Sequence, residues 1–300
     1  MRKYSKAIFG SSLRNDFDKY SDRDLLIVAD DYDTLNQLKL KYANEGWSIS
    51  FYTYDKLKYL SKIGGLFIQH LKNESHIIKD DNYKLKSILT SFKPKNNYNL
   101  ELNNAKKYFD LTHSVSDTTI SYAWLCDVLY VGLRNYLIFE NSNDRIYEFS
   151  FIKLLSILKN ENRISQSEFD VLRELRVVKR NYRTEIIDEL PSKEFTEKVI
   201  LILSRLSLIT HVSFVSVSTF QSTIEGTIFN TAMDSYQKLR LIEGYYISAG
   251  IINKDVKKIV SNPQFYACKF KDEKYIKKLL EKIKTPSECS LGVEGARCSL

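Results

Sequence analysis

Residues 6–29 read KAIFGSSLRNDFDKYSDRDLLIVA, and this stretch decides the fold of the N-terminal part of the chain. The apolar run Lys6–Phe9 ends at Gly10, a pattern that predicts a strand closed by a tight turn. The continuous apolar run Leu25–Val28 predicts a central strand that is buried on both faces. The polar interval between them leaves room for one or two helical turns. The pattern therefore predicts two neighbouring strands joined through a glycine turn.

Two acidic residues, Asp22 and Asp24, come directly before the second strand. Side chains two residues apart on a strand point to the same face, so the two carboxylates are expected to lie side by side. Neighbouring carboxylates repel each other, and a divalent cation relieves that repulsion. Mg²⁺ combines one or two carboxylates with phosphate oxygens, and a pair of ions can activate an attacking oxygen and stabilise a leaving pyrophosphate. Asp22 and Asp24 are therefore candidate catalytic residues and ligands of Mg²⁺ or Mn²⁺, with solvated turn residues as the alternative.

The glycine turn is a candidate site for the phosphates of a nucleotide. Gly10 lets the chain turn sharply and lets a phosphate approach the backbone. The residues after it begin a short helix, whose N-terminal amides can bind an anion. The Ser11 hydroxyl can donate to the same phosphate, and Ser12 and Arg14 complete the candidate phosphate-binding set, although Arg14 is equally well read as a surface arginine.

Together these residues resemble the signature of the DNA polymerase β-like nucleotidyltransferase superfamily, particularly its minimal bacterial members. That signature is a hydrophobic residue with Gly and then Gly or Ser, a polar interval, and Asp-x-Asp. It is matched by Phe9, Gly10 and Ser11, followed by Asp22 and Asp24. The resemblance implies an α/β domain with a small mixed sheet, metal ions on the two aspartates and NTP phosphates on the glycine turn. It also implies transfer of a nucleoside monophosphate to a hydroxyl.

The chain departs from this family at the third acidic residue, which usually lies on the next strand. Trp47–Tyr54 predicts that strand, and it contains no acid; Ser48 and Ser50 occupy the facing positions. Glu45 and Asp55 flank the strand and are possible substitutes. Without a third carboxylate, the general base that deprotonates an acceptor is weakened. A catalytically degenerate fold that binds nucleic acid or a partner protein is therefore an alternative function.

The rest of the chain predicts the domain organisation. We expect an α/β domain at 1–95, an all-α helical-bundle domain at 96–285 and a flexible tail at 286–300, with an Asn-rich linker near residue 96. After the linker, helical periodicity dominates, and the segment 211–222 is ambiguous. The predicted helices are Ala105–Leu111, Thr119–Phe139, Phe149–Asn160, Ser165–Arg183, Lys193–Leu208, Thr223–Tyr246 and Asp272–Lys284.

The helical region resembles, more loosely, the HEPN-type bundles that accompany minimal nucleotidyltransferases. The resemblance rests on Leu172–Arg183, which contains Arg176, Lys179 and Arg180. The HEPN ribonuclease motif needs a nearby His after the Arg, and none follows here. Ribonuclease chemistry is therefore not expected. The basic residues form either a groove for acceptor RNA or nucleotide, or a solvated helix face.

Composition limits the partners. The formal net charge is +8 and the sequence pI is about 9.0, which fits a polyanion such as RNA, although a solubilising charge is the alternative. The four cysteines form no metal or disulfide motif, and no signal peptide or membrane span is predicted, so we expect a cytoplasmic protein. The expected co-substrate is an NTP such as ATP. The expected acceptor is RNA, for example a tRNA end, a protein side chain, or an aminoglycoside-type small molecule, and by analogy the setting is a toxin–antitoxin or antiviral defence system.

Overall fold

The computed structural model describes residues 3–14, 23–42, 45, 47–184, 186, 189–230, 232–251 and 273–284. An N-terminal region holds a four-stranded sheet with helices on both faces, and a helical region follows it. This arrangement confirms the predicted fold class, an α/β region with a small mixed sheet followed by a helical region.

The N-terminal sheet is mixed and has the strand order β3-β2-β1-β4. Strand β1 is antiparallel to β2 and β4, whereas β2 is parallel to β3. Strand β2 is buried from its second residue to its last, as its unbroken apolar sequence predicts. The strands are β1 (Tyr4–Phe9), β2 (Asp24–Ala29), β3 (Ser48–Thr53) and β4 (Ser75–Lys79).

Among the described residues, four helices cover this sheet. One face packs against α2, α3 and α4 through a cluster that includes Leu26, Ile68 and Leu89. The other face packs against α1 through Leu25, Leu35 and other apolar residues. The helices are α1 (Tyr32–Tyr42), α2 (Tyr54–Lys62), α3 (Leu66–Asn73) and α4 (Lys84–Ser91).

The helical region is built around α6, which is flanked by α5, α8, α9 and α11. Helix α6 is buried on most of its circumference, as expected for a helix that is apolar on nearly all sides. The helices are α5 (Asn99–Tyr108), α6 (Thr119–Asn143), α7 (Phe151–Asn160), α8 (Gln166–Thr184), α9 (Lys193–Arg205), α10 (Val217–Thr227), α11 (Ser235–Ser248) and α12 (Glu273–Lys284).

The helical region differs from the all-helical prediction in two places. Strands β5 (Ser114–Ser116) and β6 (Ser213–Val215) form a parallel pair between segments far apart in sequence. Three residues are too few to show a period of two, so the pattern could not reveal them. The predicted helix Thr223–Tyr246 is two helices, because α10 ends and α11 starts with a capping box formed by Asp234 and Gln237.

The predicted linker is packed. Tyr98 is 1% exposed, and its hydroxyl donates to the Gly64 carbonyl at 3.0 Å. Its backbone N–H donates to Asn143 Oδ1 at 2.6 Å. The segment around Tyr98 therefore contacts both the turn after α2 and the end of α6. The polar composition of this segment predicted an unpacked linker, but the buried ring of Tyr98 holds it in place. The predicted tail at 286–300 lies outside the described residues.

Candidate functional site

Gly10 and Asp24 meet where β1 and β2 pair. The antiparallel register places Phe9 opposite Asp24, so Gly10 directly follows the residue that faces the carboxylate. Gly10 has φ +74°, and a Cβ atom added to it would lie 3.0 Å from Asp24 Oδ2 and 3.8 Å from Nε2 of His70. Most side chains avoid this backbone region. The glycine therefore satisfies the turn and lets the Asp24 carboxylate lie close to the backbone.

The residues after Gly10 form a short 3-10 turn, from Gly10 to Leu13. The Ser11 carbonyl accepts the backbone N–H of Arg14 at 3.1 Å, and the Ser12 hydroxyl donates to the Phe9 carbonyl at 3.3 Å. This turn brings the predicted phosphate-binding residues to the same end of the sheet as Asp24. Asp22, the other predicted metal ligand, lies outside the described residues.

Arg14, a predicted phosphate ligand, forms an ion pair with the C-terminal end of α3. Its Nη1 atom lies 2.6 Å from Glu74 Oε2, and both side chains are 16% exposed. The Glu74 carbonyl also accepts the backbone N–H of Gly10 at 3.0 Å. Burial opposes ionisation of Glu74, but hydrogen bonds and charge interactions with His70 and Arg14 outweigh it and lower its pKa. Glu74 is therefore a carboxylate that ties Arg14 to the glycine turn.

His70 lies between the glycine turn and the helical region. Its Nε2 atom is 3.2 Å from Glu74 Oε2, and its ring stacks on Phe149 with centroids 4.4 Å apart. Burial lowers the pKa of His70, and the hydrogen bond with Glu74 only partly offsets this effect. The imidazole is therefore neutral at pH 7, and we assign its proton to Nε2 because an ionised carboxylate can only accept.

The third strand shows how the chain departs from its family. In the parallel register, Ser48 lies opposite Asp24, and Ser50 lies opposite Leu26. Asp55 lies in the first turn of α2, at the other end of β3, and is largely exposed, so it is remote from Asp24. Within the described ranges, no group of three or more His, Cys, Asp or Glu side chains is arranged to hold a metal ion.

Sequence reasoning missed two residues at this site, His70 and Glu74. Their spacing of four residues places both on one face of α3, and this was the available signal. Phe149 could not be found in this way, because its contact with His70 joins segments far apart in sequence.

At the basic C-terminal end of α8, Arg183 has a structural role. Arg183 Nε donates to Asp127 Oδ1 at 2.8 Å, and Arg240 Nη2 lies 2.7 Å from Asp127 Oδ2. Arg240 also lies 3.1 Å from Glu243, which accepts the Tyr182 hydroxyl. Burial alone would raise the pKa of Asp127, but the two arginines lower it to about 2. This buried network joins α6, α8 and α11.

Comparison with known proteins agrees with the geometry of the N-terminal region. Residues 2–82 match the family model described as nucleotidyltransferase domain, and this span includes all four strands, the glycine turn and Asp24. No curated protein and no solved structure matches the chain. In the described parts of the chain, no helix has both the length and the apolar character needed to cross a bilayer. Residues 2–82 are therefore a nucleotidyltransferase domain, consistent with the polymerase β-like superfamily.

Proposed function

We propose that this protein is a metal-dependent nucleotidyltransferase that moves a nucleoside monophosphate from an NTP to a hydroxyl acceptor. The observation that carries the proposal is the close approach of the Asp24 carboxylate to the glycine turn at Gly10. The match of residues 2–82 to a nucleotidyltransferase domain supports the reaction class. In this reaction the acceptor hydroxyl loses its proton to solvent and its oxygen bonds to the α-phosphorus. The bond from the α-phosphorus to the oxygen that bridges the α- and β-phosphates breaks, and pyrophosphate leaves.

The residues at the turn have separate roles in this proposal. Asp22 and Asp24 hold Mg²⁺ or Mn²⁺, because carboxylate oxygens are the ligands that these hard cations prefer. The close approach of Asp24 Oδ2 to Gly10 brings this carboxylate to the turn that would hold the phosphates. The bound metal supplies neutralisation of the phosphate charge. Gly10, Ser11 and Ser12 orient the triphosphate, and Arg14 contributes positive charge beside them.

The acceptor is best sought among RNA, such as a tRNA end, and protein side chains. The net charge of +8 favours RNA, because lysine and arginine side chains bind phosphate backbones. We assign catalysis to residues 1–95 and acceptor binding to the helical region, residues 96–285. A cytoplasmic toxin–antitoxin or antiviral defence system is the proposed setting.

Label transfer tests this function. The full chain is incubated with each α-labelled NTP, Mg²⁺ and total RNA, and the Asp22→Ala/Asp24→Ala double variant is compared with the wild type. The matched control is Asp30→Ala/Asp33→Ala, which removes two exposed acids at the other end of β2. We expect transfer by the wild type and the control, and none by the active-site variant. Equal transfer by all three proteins would refute the assignment.

A second function is favoured by the serines at positions 48 and 50. If the lost third acid has ended catalysis, the domain binds RNA or a partner protein without modifying it. Retention of RNA by all variants, with no label transferred from any NTP, would support that binding role. The same result would refute the proposal that the protein is an active nucleotidyltransferase.

A further inference from the structure

The helical region reaches the nucleotidyltransferase site through Phe149, which lies just before α7. Its ring stacks on His70 at an interplanar angle of 21°. The same imidazole has its Cε1 and Nε2 atoms 3.8 Å from the Cβ position of Gly10. Oδ2 of Asp24 lies 3.0 Å from the same position, so His70 and Asp24 border the same part of the glycine turn. The stack brings a segment of the helical region beside the predicted phosphate site.

Arg134, on α6, is held at this same contact. Its Nη2 atom donates to the Phe149 carbonyl at 3.0 Å, and the side chain is half-buried. After burial and the hydrogen bond with Glu74, the positive charge of Arg134 is the next influence on the pKa of His70, and it lowers that pKa. The guanidinium therefore acts on the His70 side chain that borders the glycine turn.

The two arginines near the turn differ in their partners. Arg14 is ion-paired with Glu74 at 2.6 Å. Arg134 has no carboxylate within ion-pair distance in the part of the chain that the structure describes, and one of its five N–H donors satisfies the Phe149 carbonyl. The planar fork of a guanidinium matches two oxygens of a phosphate.

We propose that Arg134 binds the triphosphate of the NTP, so that the helical region completes a nucleotide site that begins at Gly10. This inference rests on the proposed nucleotidyltransferase function. The hydrogen bond to the Phe149 carbonyl holds the guanidinium beside the residue whose ring stacks on His70, and His70 borders the glycine turn. Arg134 is thus a binding residue contributed from outside the matched domain at residues 2–82.

Equilibrium binding tests this role without turnover. The α,β-methylene analogues of the four NTPs are titrated into the full chain with Mg²⁺, and the corresponding nucleosides are titrated in parallel. The variants are Arg134→Gln and Arg134→Lys. The control is Arg145→Gln, because Arg145 also donates to backbone carbonyls, those of Lys95 and Asn96, on an exposed surface.

We expect Arg134→Gln to weaken triphosphate binding by about tenfold or more, since a charge-assisted pair is lost. Arg134→Lys keeps the charge without the fork and should give a smaller loss, and Arg145→Gln should change affinity less than about twofold. Nucleoside affinity should not change in any variant. An equal loss for nucleoside and triphosphate would show a merely structural role for Arg134 and overturn the proposal.

The remaining outcomes separate this proposal from the function on which it rests. Triphosphate binding that is intact in Arg134→Gln but lost in Asp24→Asn would overturn the role of Arg134 and leave the nucleotidyltransferase function standing. A wild-type chain that binds none of the analogues would overturn both. If Arg134→Gln does not fold, as judged by thermal melting, the Arg134→Lys variant decides: wild-type affinity there would refute recognition by the guanidinium fork.

Discussion

Asp24 Oδ2 lies 3.0 Å from the position that a Cβ atom on Gly10 would occupy. The carboxylate and the missing side chain therefore share one small volume at the end of the paired strands β1 and β2. A methyl group at position 10 would crowd the carboxylate that we propose as a metal ligand.

We expect Gly10→Ala to impair both folding and nucleotide binding. The positive φ should cost about 1–2 kcal/mol of unfolding free energy, and the new methyl group should weaken binding of NTP with Mg²⁺ by about tenfold or more. Denaturant titration and calorimetry measure the two effects. Gly226→Ala is the control: beyond the neighbouring backbone of its own helix, no described atom lies within 4 Å of its added Cβ, and the substitution should stabilise α10 by up to about 1 kcal/mol. Unchanged nucleotide affinity in Gly10→Ala would contradict the site.

Asp24→Asn should remove Mg²⁺-dependent nucleotide binding while leaving the fold intact. The substitution preserves shape but removes the charge that attracts the cation. Asp30→Asn is the matched control at the other end of β2, where Asp30 pairs with Lys84 on the surface. Such an exposed pair contributes little to stability. Titrations with and without EDTA check the result, and metal-dependent binding that survives in Asp24→Asn would be evidence against the metal assignment.

The buried network around Asp127 should make stability depend on pH in the acid range. The folded pKa of Asp127 is about 2, below its unfolded value of about 3.9. The carboxylate therefore contributes its full stabilisation above about pH 4 and loses it as the pH falls towards 2, in all about 2–3 kcal/mol. Asp127→Asn should lack this contribution.

Urea denaturation of both proteins between pH 2 and pH 7 measures the difference. The gap in unfolding free energy between wild type and Asp127→Asn should be widest near neutral pH and should narrow below about pH 4. At pH 7, Asp127→Ala should cost about 3–5 kcal/mol, because Arg183 and Arg240 lose their shared partner. A gap that stays constant with pH would show that the charge of Asp127 is not stabilising.

Tyr98→Phe should destabilise the junction between the two regions by about 1 kcal/mol, the usual net value of a lost hydrogen bond. The Tyr98 hydroxyl donates to Gly64 and accepts the Lys95 N–H at 3.2 Å, and the side chain is buried. Tyr32→Phe is the control, since Tyr32 is 71% exposed. Denaturant midpoints measure both variants. If Tyr32→Phe lowered the denaturant midpoint as much as Tyr98→Phe, the destabilisation would not come from the buried hydroxyl of Tyr98.

The sequence predicted β1, β2 and β3 well, because these strands are unbroken or alternating apolar runs bounded by clear turn signals. The helical region was predicted less completely. Strands β5 and β6 are too short to show periodicity, and the break between α10 and α11 depends on a capping box inside an otherwise helical pattern. The predicted linker is packed because the side chain of one aromatic residue, Tyr98, is buried.

Part of the candidate site could also be read from the sequence. Gly10, Ser11, Ser12 and Arg14 were expected near Asp24, and the structure places them at that end of the sheet. The ion pair of Arg14 with Glu74 could not be predicted from the sequence, since it links the glycine turn to the C-terminal end of α3, which is far away along the chain.

The amino-acid sequence by itself determined the strand pattern, the glycine turn and the acidic residue types, because local spacing and backbone preferences specify each of these. Only the tertiary structure decided which cations and rings surround that turn. His70, Phe149 and Arg134 come together through packing between distant segments, and no periodicity along the chain encodes that contact.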